Sequence, residues 1–144
     1  MGQDRITVET LVQARPQEAW AAYITPDHIT KWNFASDDWH CPSASVDLRE
    51  GGQFSSRMEA KDGSVGFDFA GTYTAVEPSE RIEYDFGDRH AVVTFVPEGD
   101  QTRVAVSFDP ETDHPADQQR SGWQAILDNF AKHLDGLNRA APAG

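Results

Sequence analysis

The sequence predicts an α+β chain of the helix-grip type: a curved antiparallel sheet of about six to seven strands around one long C-terminal helix, with two short helices after the first strand. Two observations predict it. Apolar residues alternate with polar ones in successive short segments up to Phe108, with turn residues between them, which is the period of strands with one dry face. After Asp109-Pro110 the period changes. Trp123, Ile126, Leu127, Phe130, Leu134 and Leu137 are spaced 3, 1, 3, 4 and 3, a helical stripe of about four turns.

The elements follow in order. Ile6, Val8, Thr10 and Val12 alternate with polar neighbours and read as a strand. Arg15-Pro16 ends it, and Pro16 suits the first turn of a helix, where its missing N–H costs nothing. Glu18 to Tyr23 form that helix, Thr25-Pro26-Asp27 breaks it, and a second runs to about Lys31 with Ile29 and Trp32 as its apolar contacts. Residues 33 to 45 show no period and read as a loop, although Phe34, Trp39 and Pro42 must pack on something. Val46 and Leu48 begin a strand that Glu50-Gly51-Gly52 ends. Phe54, Ser56 and Met58 alternate next, and Lys61-Asp62-Gly63 turns the chain with a hairpin signal. Phe67, Phe69, Gly71 and Tyr73 share one parity of a long strand over 65 to 76. Ile82, Tyr84 and Phe86, then Val93 and Phe95, then Val104, Val106 and Phe108 mark three more strands. Asp113 is the expected N-cap of the final helix, just ahead of Pro115.

With 144 residues and no linker or repeat, the chain reads as one domain over 1–144, of which 139–144 form a flexible tail. No stretch approaches the roughly 18 apolar residues of a membrane helix, and the N-terminus lacks the apolar core of a signal peptide. Both point to a cytoplasmic protein without membrane insertion. The single cysteine, Cys41, excludes an intrachain disulfide framework. A formal net charge of −12 argues against nucleic acid, whose binding rests on neutralising phosphates. It favours solubility and leaves a basic protein partner open. A monomer or weak dimer is expected.

The middle strands each have one apolar face, and the long helix is the one element large enough to cover it. Six strands strongly twisted around one helix enclose more space than the helix fills, unless large side chains plug the remainder. Gly71 marks a bend or close approach within its strand. Gly122 lies inside the helical pattern, where it costs about 1 kcal/mol against alanine. It is read as letting the helix approach the sheet beside Trp123, with a tolerated glycine as the alternative.

Several segments resemble the SRPBCC (START-like, Bet v 1-like) superfamily. More narrowly they resemble the family similar to the C-terminal domain of the activator of Hsp90 ATPase. Ala14-Arg15-Pro16-Gln17-Glu18-Ala19-Trp20 is similar to its "P-x-x-V-W" helix start, and Thr25 to Trp32 to its second helix ending in Trp. Asp47-Leu48-Arg49-Glu50-Gly51-Gly52-Gln53-Phe54 is close to its "D-x-R-x-G-G-x-[FW]" segment. Gly71-Thr72-Tyr73 through Ile82 resembles its "G-x-[YV]…P…R-[IL]" hairpin, and Ser121-Gly122-Trp123 the "G-W" of its last helix. The resemblance runs from about residue 5 to 138 and implies an apolar cavity for a hydrophobic small molecule.

Trp32, Phe34, Trp39, Phe54, Met58, Phe69, Tyr84, Phe95, Trp123 and Leu127, with Phe130 beside them, are the candidate lining. The residues alone leave open whether they fill a core or wall a pocket; the resemblance favours the pocket, with Trp32, Phe34 and Trp39 at its mouth. Ser56, Tyr73 and Tyr84 share the inward parity, so any of them could orient a ligand carbonyl or hydroxyl. Asp68 and Glu59 fall on the outward parity. His28, His40, His90, His114 and His133 are scattered, and no nucleophile–base arrangement emerges. His133 is placed near the helix C-terminus, where the dipole favours a cation. His40-Cys41 with Asp37 or Asp38 lacks the paired spacing of a zinc site. Gly51-Gly52 precedes a strand and so fails as a phosphate loop. No metal, no cofactor and no catalytic residue is assigned. The leading reading is a binder of a hydrophobic small molecule; the alternatives are an enzyme of polyketide cyclase/aromatase type and an Hsp90 co-chaperone-like interaction module.

Overall fold

The computed structural model describes residues 5–34, 37–112 and 114–140, with side chains as far as residue 136 in the last helix. The chain runs β1 (Ile6–Val12), α1 (Pro16–Ile24), α2 (Pro26–Trp32), β2 (Trp39–Val46), β3 (Gln53–Ala60), β4 (Gly66–Glu77), β5 (Arg81–Phe86), β6 (Arg89–Glu98), β7 (Gln101–Phe108) and α3 (Ala116–Ala140). The seven strands form one sheet in the order β1-β7-β6-β5-β4-β3-β2. Every neighbouring pair is antiparallel. Strands β2 to β7 therefore form a meander, and β1 closes its far edge. This is the helix-grip arrangement that the alternating strands and the C-terminal stripe imply.

Alternation decides which side is dry. On β7, Thr102, Val104, Val106 and Phe108 are buried, and on β1 so are Ile6, Val8 and Val12. The inward Thr102 donates its hydroxyl to the Ala14 carbonyl at 2.7 Å, which satisfies both groups and ties the end of β1 to β7. Pro16 opens α1, and Glu18 accepts the Arg15 N–H at 3.2 Å, covering one of the helix's free donors. Trp32, at the end of α2, donates its indole N–H to the Ala22 carbonyl at 3.0 Å and so locks α2 onto α1. Among the described residues, no helix is long and apolar enough to cross a membrane.

Three sequence expectations are corrected. The strand expected at Val46 and Leu48 lies earlier, as β2, and residues 47 to 52 form the turn after it. β2 is an edge strand with a register shift between His40 and Ser43. Pro42 sits within the shift, where a ladder donor is not needed, and the bulge breaks the two-residue period. The last helix runs on to Ala140, two residues into the segment read as a tail; the rest of that tail, and Asp113 with its expected cap, lie outside the described residues.

The third correction concerns Gly122. A Cβ there would meet nothing within 4 Å, so the residue faces open space and permits no close approach. Gly71 does mark one: a Cβ would lie 2.6 Å from the Asp85 carbonyl oxygen and 2.8 Å from the Phe54 ring. Phe54 is its cross-strand partner, and the ring lies over the bare backbone.

The outer face is charged. Arg57 pairs with Glu59 at 2.8 Å and with Asp68 at 3.4 Å, which places both acids outside, as their parity predicts. Such exposed pairs contribute about 0–1 kcal/mol each. His90 is more enclosed: Nδ1 lies 2.6 Å from Asp85 and Nε2 3.0 Å from Glu83. Burial disfavours its charged form, but the bonds to Asp85 and Glu83 outweigh this and raise its pKa.

Two outcomes follow. Gly71→Ala should cost about 1–3 kcal/mol through overpacking, whereas Gly122→Ala should gain up to about 1 kcal/mol of helix propensity; urea denaturation of the two variants reads both signs. A raised pKa means that protonated His90 stabilises the fold below its ordinary value of 6.5 and that this is lost as pH rises through the raised value. His90→Gln should therefore lose more stability at about pH 5.5 than at about pH 9. An equal loss at both would show that the ring's charge is not what matters.

Candidate ligand pocket

The pocket arises from where α3 is seated. Its backbone lies close to β1, α2 and α1, and makes no comparable approach to β3, β4 or β5. Leu127, Phe130 and Leu134 are the buried residues of its stripe. Each such side chain contributes about 1.5–3 kcal/mol, so they hold the helix firmly on that side. Trp123 adds a stacked contact with Phe108, ring centroids 4.0 Å apart and 12° between planes. The face of β3 to β5 is left opposite a helix whose backbone does not approach it. A pocket of about 390 Å³ fills the difference.

Aromatic rings wall it. Phe69 on β4 contacts Phe54 at 5.9 Å, Phe86 at 5.6 Å and Trp123 at 6.1 Å. Phe54 on β3 contacts Tyr73 at 5.2 Å and Tyr84 at 4.9 Å. Ring pairs at these distances hold one another's orientation. Gly122 lines the same space from α3, which explains the empty volume beside it.

Three hydroxyl side chains turn into the pocket from adjacent strands: Ser56 on β3, Tyr73 on β4 and Tyr84 on β5, which are 4%, 6% and 5% exposed. Tyr73 and Tyr84 are direct cross-strand partners. The turn before β3 fixes Tyr73: its N–H donates to the Gly52 carbonyl at 2.9 Å, and its carbonyl accepts from Gly51 at 2.8 Å. That turn needs Gly51, whose φ is +84°, and a Cβ on Gly52 would strike the Asp47 carbonyl. Arg49 closes it on both Asp47 oxygens, at 3.1 and 3.0 Å. Burial, reinforced by Asp47, pushes the Tyr73 phenol up to about 12. Burial with the neighbouring Tyr23 and Tyr73 pushes Tyr84 well above its usual value, and Tyr23, which also lines the pocket, is raised by burial and by Tyr73. All three phenols keep their protons at neutral pH and can donate.

Charged groups meet at one part of the lining, where β6 and the 109–114 segment approach the start of α3. The Arg89 guanidinium lies 4.5 Å over the Phe86 ring, donates from Nε to the Asp109 carbonyl at 2.9 Å, and has Nη1 4.0 Å from Glu111. Glu111 also bonds His114. The Gln119 amide accepts from the Glu111 N–H at 2.9 Å and donates to the Glu111 and His114 carbonyls at 3.0 and 2.8 Å, stapling this segment to α3.

Of the residues expected to line a cavity, Trp32, Phe54, Met58, Phe69, Tyr84, Trp123 and Leu127 line this one. Phe34, Trp39 and Phe95 do not, and neither does Phe130, which is fully buried against Tyr23 and Trp32. Phe95 is buried in the core against Trp20 and Tyr23 at 5.6 and 5.7 Å. Trp39, on the edge strand, packs on Phe67 at 5.9 Å. The Phe34 carbonyl accepts from Asn129 at 2.7 Å, anchoring the end of α2 to α3. Sequence reasoning missed Tyr23, Arg89, Glu111 and Gln119. Arg89 shares the parity of the inward Ala91 and Val93, a signal that was available; Gln119 and Glu111 gave none.

The histidines are less scattered than they read. His28 Nδ1 and His133 Nε2 stand 2.8 Å apart, 105 positions apart in sequence. His133 lies seven residues before the end of α3. Burial, His28 and Lys31 lower its pKa, so the helix dipole does not govern it. Cys41 is buried, with its thiol 3.4 Å from the Ser43 carbonyl, while His40 lies 3.8 Å from Glu59. Burial raises the thiol's pKa. Among the described residues, no group of three His, Cys, Asp or Glu side chains is arranged to hold a metal ion.

A half-open antiparallel sheet gripping one helix across an aromatic-walled pocket defines an SRPBCC-type protein. Residues 13–135 match the family described as Activator of Hsp90 ATPase homolog 1-like protein, and the chain belongs to that family. Among solved structures it is similar to the AHSA1-like protein from Aeromonas hydrophila: 41% identity, TM-score 0.89, covering 97% of this chain and 98% of that one. It is also similar to a protein from Cytophaga hutchinsonii at 42% identity and TM-score 0.80, covering 98% and 99%. A Rhodobacter sphaeroides protein at 21% identity, TM-score 0.81 and coverage of 98% and 96% shares the fold. No curated protein matches.

Trp123 is half-buried, stacked on Phe108 and lining the pocket. Trp123→Ala should cost less than the about 3 kcal/mol of a fully packed tryptophan, as read by guanidinium denaturation. A loss above that would make the ring core.

Proposed function

We propose that this protein is a non-catalytic binder or carrier of a small hydrophobic molecule, held between α3 and the face of β3 to β5. The observation that carries the reading is the aromatic-walled space of about 390 Å³ that α3 leaves uncovered. Its size falls within the roughly 300–1,000 Å³ of small-molecule sites, and a few polar groups set in an apolar lining are their usual composition. An enzyme would need a carboxylate or histidine among the interior groups. Glu111 and His114 do border the pocket, but they bond each other beside Arg89, and the other polar groups there include the hydroxyls of Ser56, Tyr73 and Tyr84.

Gly122 supplies the test, because it lines the pocket and a Cβ there would meet nothing within 4 Å. The wild-type protein should bind the neutral fluorophore N-phenyl-1-naphthylamine saturably and melt at a higher temperature in its presence. At a ligand concentration of about 100 Kd the gain is about 2.7 kcal/mol. Gly122→Leu should keep or raise the melting temperature of the free protein while weakening the fluorophore at least about tenfold. Absence of any melting shift with this probe and with fatty acids, sterols, flavonoids and polyketides would overturn the proposal.

A further inference from the structure

We infer that the pocket takes amphiphilic acids, an apolar body ending in a carboxylate, and that the Arg89 guanidinium binds the carboxylate; the inference rests on the binder reading above.

Three observations carry it. The first is place. Arg89 is the cross-strand partner of Phe86, and its guanidinium lies 4.5 Å from that ring's centroid. Phe86 packs in turn on Phe69 at 5.6 Å and on Trp123 at 5.7 Å, and Arg89, Phe69 and Trp123 all line the pocket. The cation is therefore stacked against the aromatic wall, within reach of the head of a ligand lying along it. Gln118 and Gln119 line the pocket from the first turn of α3, where the helix dipole adds positive potential.

The second is a fixed fork whose outer donors are unclaimed. Nε donates to the Asp109 carbonyl at 2.9 Å, and the Phe86 ring lies beneath the guanidinium. Among the described residues, neither Nη1 nor Nη2 makes a hydrogen bond; Nη1 stands 4.0 Å from Glu111, beyond bonding distance. Glu111 is engaged by His114 instead. Two parallel N–H donors in one plane match the two oxygens of a carboxylate. A side chain already held in place also lowers the ordering cost of binding.

The third is charge. Among the described residues, Arg89 is the one Lys or Arg that lines the pocket, and Glu111 the one Asp or Glu. The Arg89 side chain is 22% exposed, so it is largely sheltered from water, and its bond to Glu111 is not made. A neutral ligand would leave the outer donors to water; a carboxylate supplies two charge-assisted bonds, which are about twice as strong as neutral ones. The net charge of −12 repels an anion at long range. Salt at about 0.15 M screens that repulsion beyond about 8 Å, so the nearest groups decide.

The test uses a matched pair, biphenyl-4-carboxylate and biphenyl-4-carboxamide, which share a shape and differ in charge. Calorimetric titration of the wild-type protein at about pH 7.5 should give the acid an affinity at least about tenfold above the amide. The acid should also displace N-phenyl-1-naphthylamine, which places it in the pocket. Arg89→Gln should bring the two affinities together by weakening the acid. Glu111→Gln removes the opposing charge and keeps an oxygen for His114. It should strengthen the acid at least about threefold more than the amide, and it reads the same contact if Arg89→Gln does not fold. Equal affinities in the wild type, or an acid that leaves bound N-phenyl-1-naphthylamine in place, would overturn the inference and leave the binder reading standing. So would an acid preference that survives in folded Arg89→Gln or is unchanged in Glu111→Gln. Failure of both compounds to bind, with N-phenyl-1-naphthylamine also failing, would remove the binder reading as well.

Discussion

A seven-stranded sheet with one apolar face has a single long helix to cover it, and everything else in the molecule follows from where that helix comes to rest. Leu127, Phe130 and Leu134 take it to the β1 side. Trp123 stacked on Phe108 holds its N-terminal half there. The helix is about 10 Å wide with its side chains, and neighbouring strands are spaced about 4.8 Å apart, so it spans two or three strands and not seven. α1 and α2 close one end, through Trp20, Trp32 and Tyr23. What remains between α3 and β3 to β5 is a pocket walled by rings that α3 meets through the Trp123 side chain and not through its backbone.

Polar groups are distributed to suit this division. The outside carries the chain's charge in loose pairs and in the Glu83–His90–Asp85 cluster. The inside carries hydroxyls on three consecutive strands. Their positions depend on features that have no side chain of their own to show: Gly51 and Gly52 let the turn before β3 bond back to Tyr73, and Gly71 leaves room for the Phe54 ring, which contacts both phenols. The sequence segment resembling "D-x-R-x-G-G-x-[FW]" is thus a device for placing one tyrosine and one phenylalanine. Gln119 does the corresponding work near Arg89, where a buried amide meets all three of its partners on the backbone or through it.

Much of this was legible in the chain. β1, β3 to β7 and the stripe of α3 each repeat their own period, and the inward parity of Ser56, Tyr73 and Tyr84 follows from it. β2 was hidden because a bulge at Pro42 erases the two-residue period that a strand is recognised by. Seven of the ten candidate residues border the pocket, since an inward aromatic on a middle strand has little else to face. Phe95 was not distinguishable from them: it has the same parity and chemistry, but its strand lies under α1, so it meets Trp20 and Tyr23. Gly122 was read the wrong way round for the same reason, because a bare backbone suits a tight contact and an open space equally well.

The sequence by itself determined the elements, their order, the dry face of each strand and the family the chain belongs to. These are properties of short periods and short motifs, set by residues near one another in the chain. The tertiary structure alone decided which inward residues are core and which are wall, that His28 meets His133 and Arg89 meets Glu111, and that three hydroxyls share one space. Those are distances between residues far apart in sequence. They depend on where one helix settles on a sheet wider than itself, which no local pattern encodes.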